Sequence, residues 1–243
     1  MAPTLLELAE APSAFVVPPH PAVVVGDGYY VMPRRPGLAT VQRVRVAADR
    51  VEAVRHHARE IARGWSAERI EWALCALTEP ADLASRLGLE HSETLAALAL
   101  TSAPAGGDSF EVREVRTLED YIQAQRVDAR ANGWPEGADE EYARFWEVAR
   151  DRFIAWVAFD RGRPVGMARC ATAEQALMMV GGAVLPEERG RGIYRALVAA
   201  RWATAVERGV PALVTAANEQ SAPILRRLGF AELGEIAVYT ESV

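Results

Sequence analysis

Residues 176–208 constrain the fold of this chain most, because they read as a strand, a glycine-rich turn and a helix in direct succession. The apolar run ALMMVGGAVL is followed by PEERGRG and then by a helical pattern that ends at Gly209. Gly190 and Gly192 allow the main chain to approach a ligand closely, because they carry no Cβ. A helix that begins at Ile193 offers free N–H groups and a favourable dipole to an anion. The segment therefore predicts an α/β fold with an anion-binding loop.

Three arginines flank the two glycines and strengthen this prediction. Arg189, Arg191 and Arg195 carry planar sets of N–H donors that suit phosphate oxygens. A dinucleotide-binding loop has the same order of elements, but its first glycine comes directly at the strand end, and an acidic residue follows about 20 residues later. Here LPEER separates Val184 from Gly190, and the next strand ends in AAN without an acid. The sequence therefore favours a pyrophosphate loop of another kind.

The second half of the chain, residues 106–243, alternates strand and helix patterns throughout. Strands are predicted at 110–115, 153–160, 164–172, 176–185, 211–217 and 232–240, and helices at 117–131, 139–151, 193–208 and 221–228. The turn RGR between the second and third strand patterns predicts a hairpin. This series predicts an α/β (α+β) fold with a central mixed β-sheet flanked by helices.

The first half echoes part of this pattern. In each half a helix ends at an Arg-Gly pair, a strand follows, and a short helix ends at Arg-Leu-Gly. The glycines concerned are Gly64 and Gly88 in the first half, and Gly209 and Gly229 in the second. The loop-forming cluster TSAPAGGDS at 101–109 predicts a boundary between domains 1–105 and 106–243. Chance similarity is the alternative, because glycine is common at helix C-termini. The first half lacks the glycine loop, so we predict a structural role for it.

Composition restricts the partners and the location. The net charge is −6, without the basic excess of a nucleic-acid binder, and no apolar run is long enough to span a bilayer. The N-terminal MAPTLLELAEAP carries acids where a signal peptide needs positive charge. We therefore expect a cytoplasmic protein that binds neither nucleic acid nor membrane. The sequence leaves the oligomeric state open.

The residue types present also restrict the chemistry. All 27 basic residues are arginine, which excludes a Schiff-base or P-loop lysine. No histidine lies in 106–243, so any base there is a carboxylate, a tyrosine or water. The two cysteines, Cys75 and Cys170, are predicted to be buried and reduced, and we expect no metal site.

Arg189-x-x-Gly192, preceded by a strand that ends at Val184, resembles the Q/R-x-x-G-x-G/A motif of the GNAT superfamily of N-acetyltransferases. Asn218 and the pair Gly229-Phe230 follow in the family's order, and the resemblance covers the whole second half. The first half looks like a degenerate, partial copy, as in tandem GNAT proteins. The resemblance implies an acetyl-CoA-dependent N-acetyltransferase, with a primary amine of a small molecule attacking the thioester directly.

The resemblance also implies a set of coenzyme A contacts. The strand that ends at Val184 and the residue Asn218 would contact the pantetheine arm, and the loop amides would surround the pyrophosphate. The implied cofactor-binding residues are Val184, Arg189, Gly190, Arg191, Gly192, Ile193, Tyr194, Arg195 and Asn218. Two positions depart from the family pattern: Tyr194 replaces a Gly or Ala, and Leu225 replaces a tyrosine that protonates the departing thiolate in many members. A non-catalytic acyl-CoA-binding or regulatory module is therefore the alternative function.

Candidate catalytic and acceptor residues each have an alternative interpretation. Glu174 is a candidate base or a solvated loop acid, because most glutamates are exposed. Ser221 and Tyr239 are candidate proton donors, or a helix N-cap and a packed strand aromatic. Trp134 and Glu136 would border the acceptor pocket and face a cationic amine, or they form part of an ordinary connection between helices.

Overall fold

The computed structural model describes residues 2–18, 21–106 and 109–243. Its helices are α1 (Leu5–Glu10), α2 (Val51–Gly64), α3 (Leu83–Leu87), α4 (Leu118–Asn132), α5 (Asp139–Ala149), α6 (Ile193–Glu207) and α7 (Ala222–Arg227). Its strands are β1 (Val24–Gly26), β2 (Tyr29–Arg35), β3 (Leu38–Gln42), β4 (Arg69–Cys75), β5 (Glu90–Leu100), β6 (Glu111–Glu114), β7 (Phe153–Asp160), β8 (Arg163–Thr172), β9 (Leu177–Val184), β10 (Leu213–Ala217) and β11 (Ala231–Ser242). The predicted mixed sheet flanked by helices is confirmed.

One 11-stranded sheet runs through both halves of the chain in the order β1-β2-β3-β4-β11-β5-β10-β9-β8-β7-β6. The two halves exchange their last strands. Strand β11 of the second half lies between β4 and β5, and β5 of the first half lies between β11 and β10, with all of these pairs antiparallel. Each half therefore depends on the other for a strand in the middle of the sheet.

The echo in the sequence corresponds to a repeat of elements. The series β3-α2-β4-α3-β5 in the first half matches β9-α6-β10-α7-β11 in the second, and β3 pairs parallel with β4 as β9 does with β10. The first half has no counterpart of β6, α4 and α5 among its described residues, so its copy is partial. The predicted linker 101–109 has no helix or strand in its described part, and residues 107–108 lie outside the described residues.

The sheet is covered on both faces by helices. Leu98 and Leu100 of β5 pack into the cluster under α6 and α7, whereas Ala97 and Ala99 of the same strand face α1. A separate cluster joins α4 and α5 to β7 and β8. Because alternate side chains of a strand point to opposite faces, β5 is buried on both sides at the point where the halves meet.

Local signals in the sequence predicted the element ends well. Thr117 accepts a hydrogen bond from the Asp120 amide and caps α4, and Gly133 ends that helix in the left-handed conformation. The spacing of apolar residues predicts that Ala203 lies on the buried face of α6 with Ile193 and Leu197, but Ala203 is exposed, and Arg201 is completely buried. No helix in the described ranges has the length and apolar character that crossing a membrane requires.

Candidate active site

Strands β9 and β10 separate soon after they meet. They pair only where Leu213 and Val214 of β10 meet the first residues of β9. Beyond that point β10 continues along β5, while β9 continues along β8 as far as Val184. The Thr215 hydroxyl donates to the Met179 carbonyl at 3.3 Å across the point of separation. The two strands therefore form a V-shaped opening in the middle of the sheet.

A bulge in β9 lies at this opening. The register between β8 and β9 shifts between Arg169 and Cys170, so that Val180 has no partner on β8. The pair Gly181-Gly182 follows the bulge. Glycines inside a strand are typical of a bulge or of a close approach between main chains, and the position of this pair next to the bulge fits that pattern.

A cleft of about 750 Å³ begins at the opening and extends to the N-terminus of α6. Its walls come from the end of α4, from β9, from the glycine loop and from α7. The lining includes Asn132, Gly182, Val184, Arg189, Gly190, Gly192, Ile193, Tyr194, Arg195, Asn218, Gln220, Ser221, Ile224 and Arg227. Every predicted cofactor-binding residue except Arg191 thus lines one cleft.

The glycine loop has a backbone conformation that side chains disfavour. Gly190 and Gly192 have φ angles of 79° and 93°, in the region that favours glycine. A Cβ built at either position meets nothing within 4 Å, so the loop encloses open space. No side chain caps the N-terminus of α6, which leaves its first amides for a ligand. An extended molecule that carries a pyrophosphate fits these observations.

Two of the three loop arginines donate to groups of the protein itself. The Arg189 guanidinium donates to the carbonyls of Val184 and Ala131, at 3.3 and 3.1 Å, and so ties β9 to α4. Arg191 pairs with Asp160 and Glu188 and does not line the cleft. The hydrogen bond to Asp160, followed by that to Glu188, raises the pKa of Arg191.

For Arg191, carboxylates of the protein therefore occupy the donors that the sequence assigned to phosphate. Arg195 differs, because it lines the cleft and makes no ion pair within the part of the chain that the structure describes. Arg189 also lines the cleft without an ion pair to the described residues, but two carbonyls accept from its guanidinium. Arg195 makes neither an ion pair nor a side-chain hydrogen bond with the described residues, so its donors remain available to an anion.

Tyr194 and Arg201 fill the space behind β9. The Arg201 guanidinium lies 5.7 Å from the centre of the Tyr194 ring, and its Nη2 donates to the Gly181 carbonyl at 2.9 Å. A Cβ on Gly182 would lie 2.3 Å from Arg201 Nη2 and 3.2 Å from the Tyr194 ring. The ring thus lies against the main chain of β9, which explains how the loop accepts a tyrosine where the family has Gly or Ala.

Sequence reasoning missed Arg201, although a signal was present. Arg201 follows Ile193 by eight residues and Leu197 by four, which places it on their buried face of α6. A charged residue in a buried stripe is unusual and indicates a buried polar partner, which here is the Gly181 carbonyl.

Asn218 and Ser221 form a small network at the start of α7. The Asn218 Oδ1 accepts from the amides of Gln220 and Ser221 at 3.2 and 3.0 Å, and from the Ser221 hydroxyl at 2.9 Å. Ser221 stands at the N-cap position of α7, but its hydroxyl makes no capping hydrogen bond to a helix amide and donates to Asn218 instead. Leu225 is 2% exposed and packs in the core.

The other predicted site residues line neither this cleft nor the second cavity described below. Glu174 is exposed at the bend between β8 and β9. Tyr239 pairs in register with Trp72 and packs edge-on against His91 at 5.4 Å, because the strand exchange carries β11 into the first half's part of the sheet. Trp134 is 60% exposed, and Glu136 lies 3.8 Å from Arg126.

A second cavity, of about 310 Å³, lies between the two halves of the chain. The first half contributes Pro12, Met32 and Arg34 among others, and the second half contributes Arg152, Arg169 and Val180. Arg169 pairs with Asp128 at 3.0 Å. Burial raises the pKa of Asp128, and the charge of Arg169 and a hydrogen bond from Asn132 oppose that rise.

The comparisons with known proteins agree with this geometry. The acetyltransferase (GNAT) family model matches residues 116–230. None of the curated proteins compared with the chain matches it.

Solved structures extend the likeness to the whole chain. A GCN5-related N-acetyltransferase from Sphaerobacter thermophilus is 18% identical, with a TM-score of 0.67 over 88% of this chain and 76% of its own. A tandem GNAT protein of the clavulanic acid biosynthesis pathway is 18% identical, with a TM-score of 0.66 over 98% of this chain and 93% of its own. A GCN5-related N-acetyltransferase from Kribbella flavida is 16% identical, with a TM-score of 0.67 over 90% of this chain and 88% of its own. At these identities the likeness shows a shared fold. Together with the family match, it identifies residues 116–230 as a GNAT acetyltransferase domain, and enzymes of this family are acyltransferases that use acetyl-CoA as the acyl donor.

Proposed function

We propose that this protein transfers the acetyl group of acetyl-CoA to a primary amine of a small molecule by direct attack of the amine on the thioester. The observation that carries the proposal is the opening between β9 and β10. The opening lies beside a cleft shaped for an extended phosphorylated molecule, and Val180 of the adjacent bulge lines a second cavity. One cavity is thus available for the donor and one for the acceptor.

The residues around the cleft suit the parts of acetyl-CoA. The amides at Gly190, Gly192 and Ile193 and the charge of Arg195 would hold the pyrophosphate, and the main chain near Val184 would accompany the pantetheine arm. When bound, acetyl-CoA supplies an acyl group activated as a thioester. An N–H of the bulged part of β9 is the simplest donor to the thioester oxygen, because its strand partner is lost there.

Proton transfer needs two groups. The attacking amine must be neutral, and with no histidine in the domain its proton passes to a carboxylate or to water that reaches the second cavity. For the departing thiolate we favour Ser221 over Tyr239, because Ser221 lines the cleft and Tyr239 does not. A thiol with an ordinary pKa of about 8.5 needs only modest help to leave.

The proposal is tested by following thiol release from acetyl-CoA in the presence of a panel of primary amines. We expect release that depends on the amine, and saturation in both substrates. Ser221→Ala should lower kcat with little change in the Kd for coenzyme A, and Ser242→Ala, outside the cleft, is the matched control. If no amine in a broad panel supports release, the enzymatic proposal fails.

The second candidate is a non-catalytic acyl-CoA-binding or regulatory module. Leu225 favours it, because a buried leucine at that position supplies no proton to a departing thiolate. Stabilisation of the protein by coenzyme A, without turnover of any acceptor, would support this module. At a ligand concentration of 100 times Kd, binding raises the free energy of unfolding by about 2.7 kcal/mol, which a thermal melt detects.

A further inference from the structure

We propose that the second cavity binds the carboxylate of the acceptor, so that the substrates are small amines that carry a carboxyl group, such as amino acids. This inference rests on the proposed function and names its substrate class. It is carried by three guanidinium groups that line one cavity of about 310 Å³: Arg34, Arg152 and Arg169.

The three arginines come from separate parts of the chain. Arg34 is the second-last residue of the hairpin strand β2 in the first half, Arg152 precedes β7, and Arg169 lies in β8. A volume near 300 Å³ is at the small end of ligand sites and suits a molecule of amino-acid size. Placing three like charges around such a small space is unfavourable unless an anion compensates for them.

Protein carboxylates compensate for only part of this charge. Arg34 Nη1 pairs with Glu71 at 2.5 Å, and Arg169 Nη2 pairs with Asp128 at 3.0 Å. Arg152 makes no ion pair with any residue that the structure describes. One full positive charge is thus left without a carboxylate at the cavity wall.

Unused N–H donors remain at the same wall. A guanidinium has five N–H groups, and Arg169 uses Nη2 for Asp128. Its Nε is buried and has no hydrogen-bond partner among the described residues. A buried donor without a partner is costly. This Nε has almost no accessible surface, so a ligand carboxylate would reach it after a small rotation of the Arg169 side chain, which that cost favours.

The cavity is also placed for the reaction. Val180, the unpaired residue of the β9 bulge, lines this cavity, and Gly182, two residues later, lines the coenzyme A cleft. Arg169 lies against the bulge, since a Cβ on Gly181 would be 3.2 Å from Arg169 Nη2. A carboxylate held by the arginines would leave the amine of the same molecule directed toward the opening between β9 and β10.

The arrangement also gives the first half of the chain a role in substrate choice. Pro12, Met32 and Arg34 lie in the half that has no glycine loop. The first half would then hold part of the acceptor, while the second half holds the donor.

The test compares matched acceptors that differ only in the acidic group. The pairs are glycine and glycinamide, and γ-aminobutyrate and butylamine, with 2-aminoethylphosphonate as the phosphorus analogue. We expect kcat/KM to be at least tenfold higher for the carboxylates than for their neutral partners. A clear preference for the phosphonate would instead assign the arginines to a phosphate group and overturn the carboxylate assignment.

The variant that tests the site is Arg152→Met, with Arg150→Met as the control, because Arg150 is exposed, pairs with Glu147 and does not line the cavity. Arg152→Met should raise KM for carboxylate acceptors at least tenfold and leave KM for neutral amines and the Kd of coenzyme A unchanged. Equal effects of the two variants, or no preference of the native protein for carboxylates, would overturn the inference while the proposed function stands.

A binding measurement keeps the two proposals distinguishable. The same acceptor panel is titrated by calorimetry into the full chain saturated with coenzyme A. Binding of carboxylates that Arg152→Met weakens would support the cavity assignment even if no acetyl transfer occurred. Absence of carboxylate binding, together with transfer to neutral amines, would refute the cavity assignment alone.

Discussion

Arg201 Nη2 donates to the carbonyl of Gly181 at 2.9 Å, from a side chain that is completely buried. The same guanidinium leaves its Nε and Nη1 without a partner among the described residues. Gly182 lies beside this guanidinium, and its lack of a Cβ leaves the space that Arg201 Nη2 occupies. The arginine and the glycine therefore form one unit that sets the path of β9 next to the opening.

The first prediction tests this unit with Gly182→Ala. The new Cβ would lie 2.3 Å from Arg201 Nη2, and the buried guanidinium has nowhere to move. We expect a loss of about 1–3 kcal/mol in the free energy of unfolding, as for other overpacked cores. The matched control is Gly181→Ala, whose Cβ meets the partly exposed Arg169 at 3.2 Å and should cost less. Urea titration measures both, and equal costs would contradict the argument.

The second prediction separates backbone strain from ligand binding in the glycine loop. Gly192→Ala and Gly162→Ala both place a Cβ at a positive φ, of 93° and 77°, with nothing within 4 Å. Each should lower the free energy of unfolding by about 1–2 kcal/mol. Only Gly192→Ala should also raise the Kd for coenzyme A, by tenfold or more, because it moves amides at the α6 N-terminus. Calorimetry checks this, and an unchanged Kd would argue against the loop as the pyrophosphate site.

The third prediction concerns the exchanged strands. A fragment of residues 106–243 lacks β5, which pairs with β10 on one side and β11 on the other. The fragment would expose the apolar positions that Leu98 and Leu100 cover, so we expect aggregation during size-exclusion chromatography. Co-expression with residues 1–105 should restore a folded complex. A soluble, fully active 106–243 fragment would contradict the structural role of the first half.

The fourth prediction tests the contact that holds β11 in the first half. Glu241 is 6% exposed at its side chain and accepts from Arg55 Nε at 2.8 Å and Trp72 Nε1 at 3.0 Å. Glu241→Gln leaves two half-buried arginines, Arg55 and Arg59, without the anion that they share, and should cost about 2 kcal/mol of stability. Glu235→Gln, an exposed position on the same strand, should cost almost nothing, and similar losses from both would refute the anchor.

The fifth prediction concerns the buried thiol Cys170. Burial raises the pKa of this thiol to about 12 from an ordinary value near 9. The unfolded chain loses the proton first as pH rises, so stability should fall between about pH 9 and pH 12. Cys170→Ala should flatten that part of the pH profile, measured by urea titration. A thiol-reactive dye should label Cys170 only after denaturation, and rapid labelling of both cysteines in the native protein would contradict its burial.

Local chemistry explains which parts of the fold the sequence predicts. Three features depend on residues that are close together in the chain. They are the turn at Gly190 and Gly192, the capping of α4 by Thr117 and the β7–β8 hairpin. Their backbone preferences act within a few residues, so the sequence pattern is sufficient. The glycine loop at one end of the cleft follows from the same local signals, whereas the walls from α4 and α7 come from distant parts of the chain.

The rest depends on contacts between distant segments. The alternating pattern of β11 fits any antiparallel neighbour, and nothing local shows that it pairs with β4 rather than with β10. Tyr239 and Glu174 are candidates by their chemistry alone. Tyr239 lies outside the cleft because β11 pairs with β4, and Glu174 lies outside it because it stands at an exposed bend. The cavity that joins Arg34 to Arg169 has no signature in either half alone.

The strand exchange also sets an order of events on the ribosome. The first half leaves the ribosome early. The strand that lies between its β4 and β5 is β11, which begins about 130 residues after β5 ends. Until Ala231–Ser242 has been synthesised, β4 and β5 each lack the strand with which they pair in the finished sheet. An unpaired strand edge can pair with another chain, so we expect the first half to be most prone to wrong pairing until β11 has been synthesised.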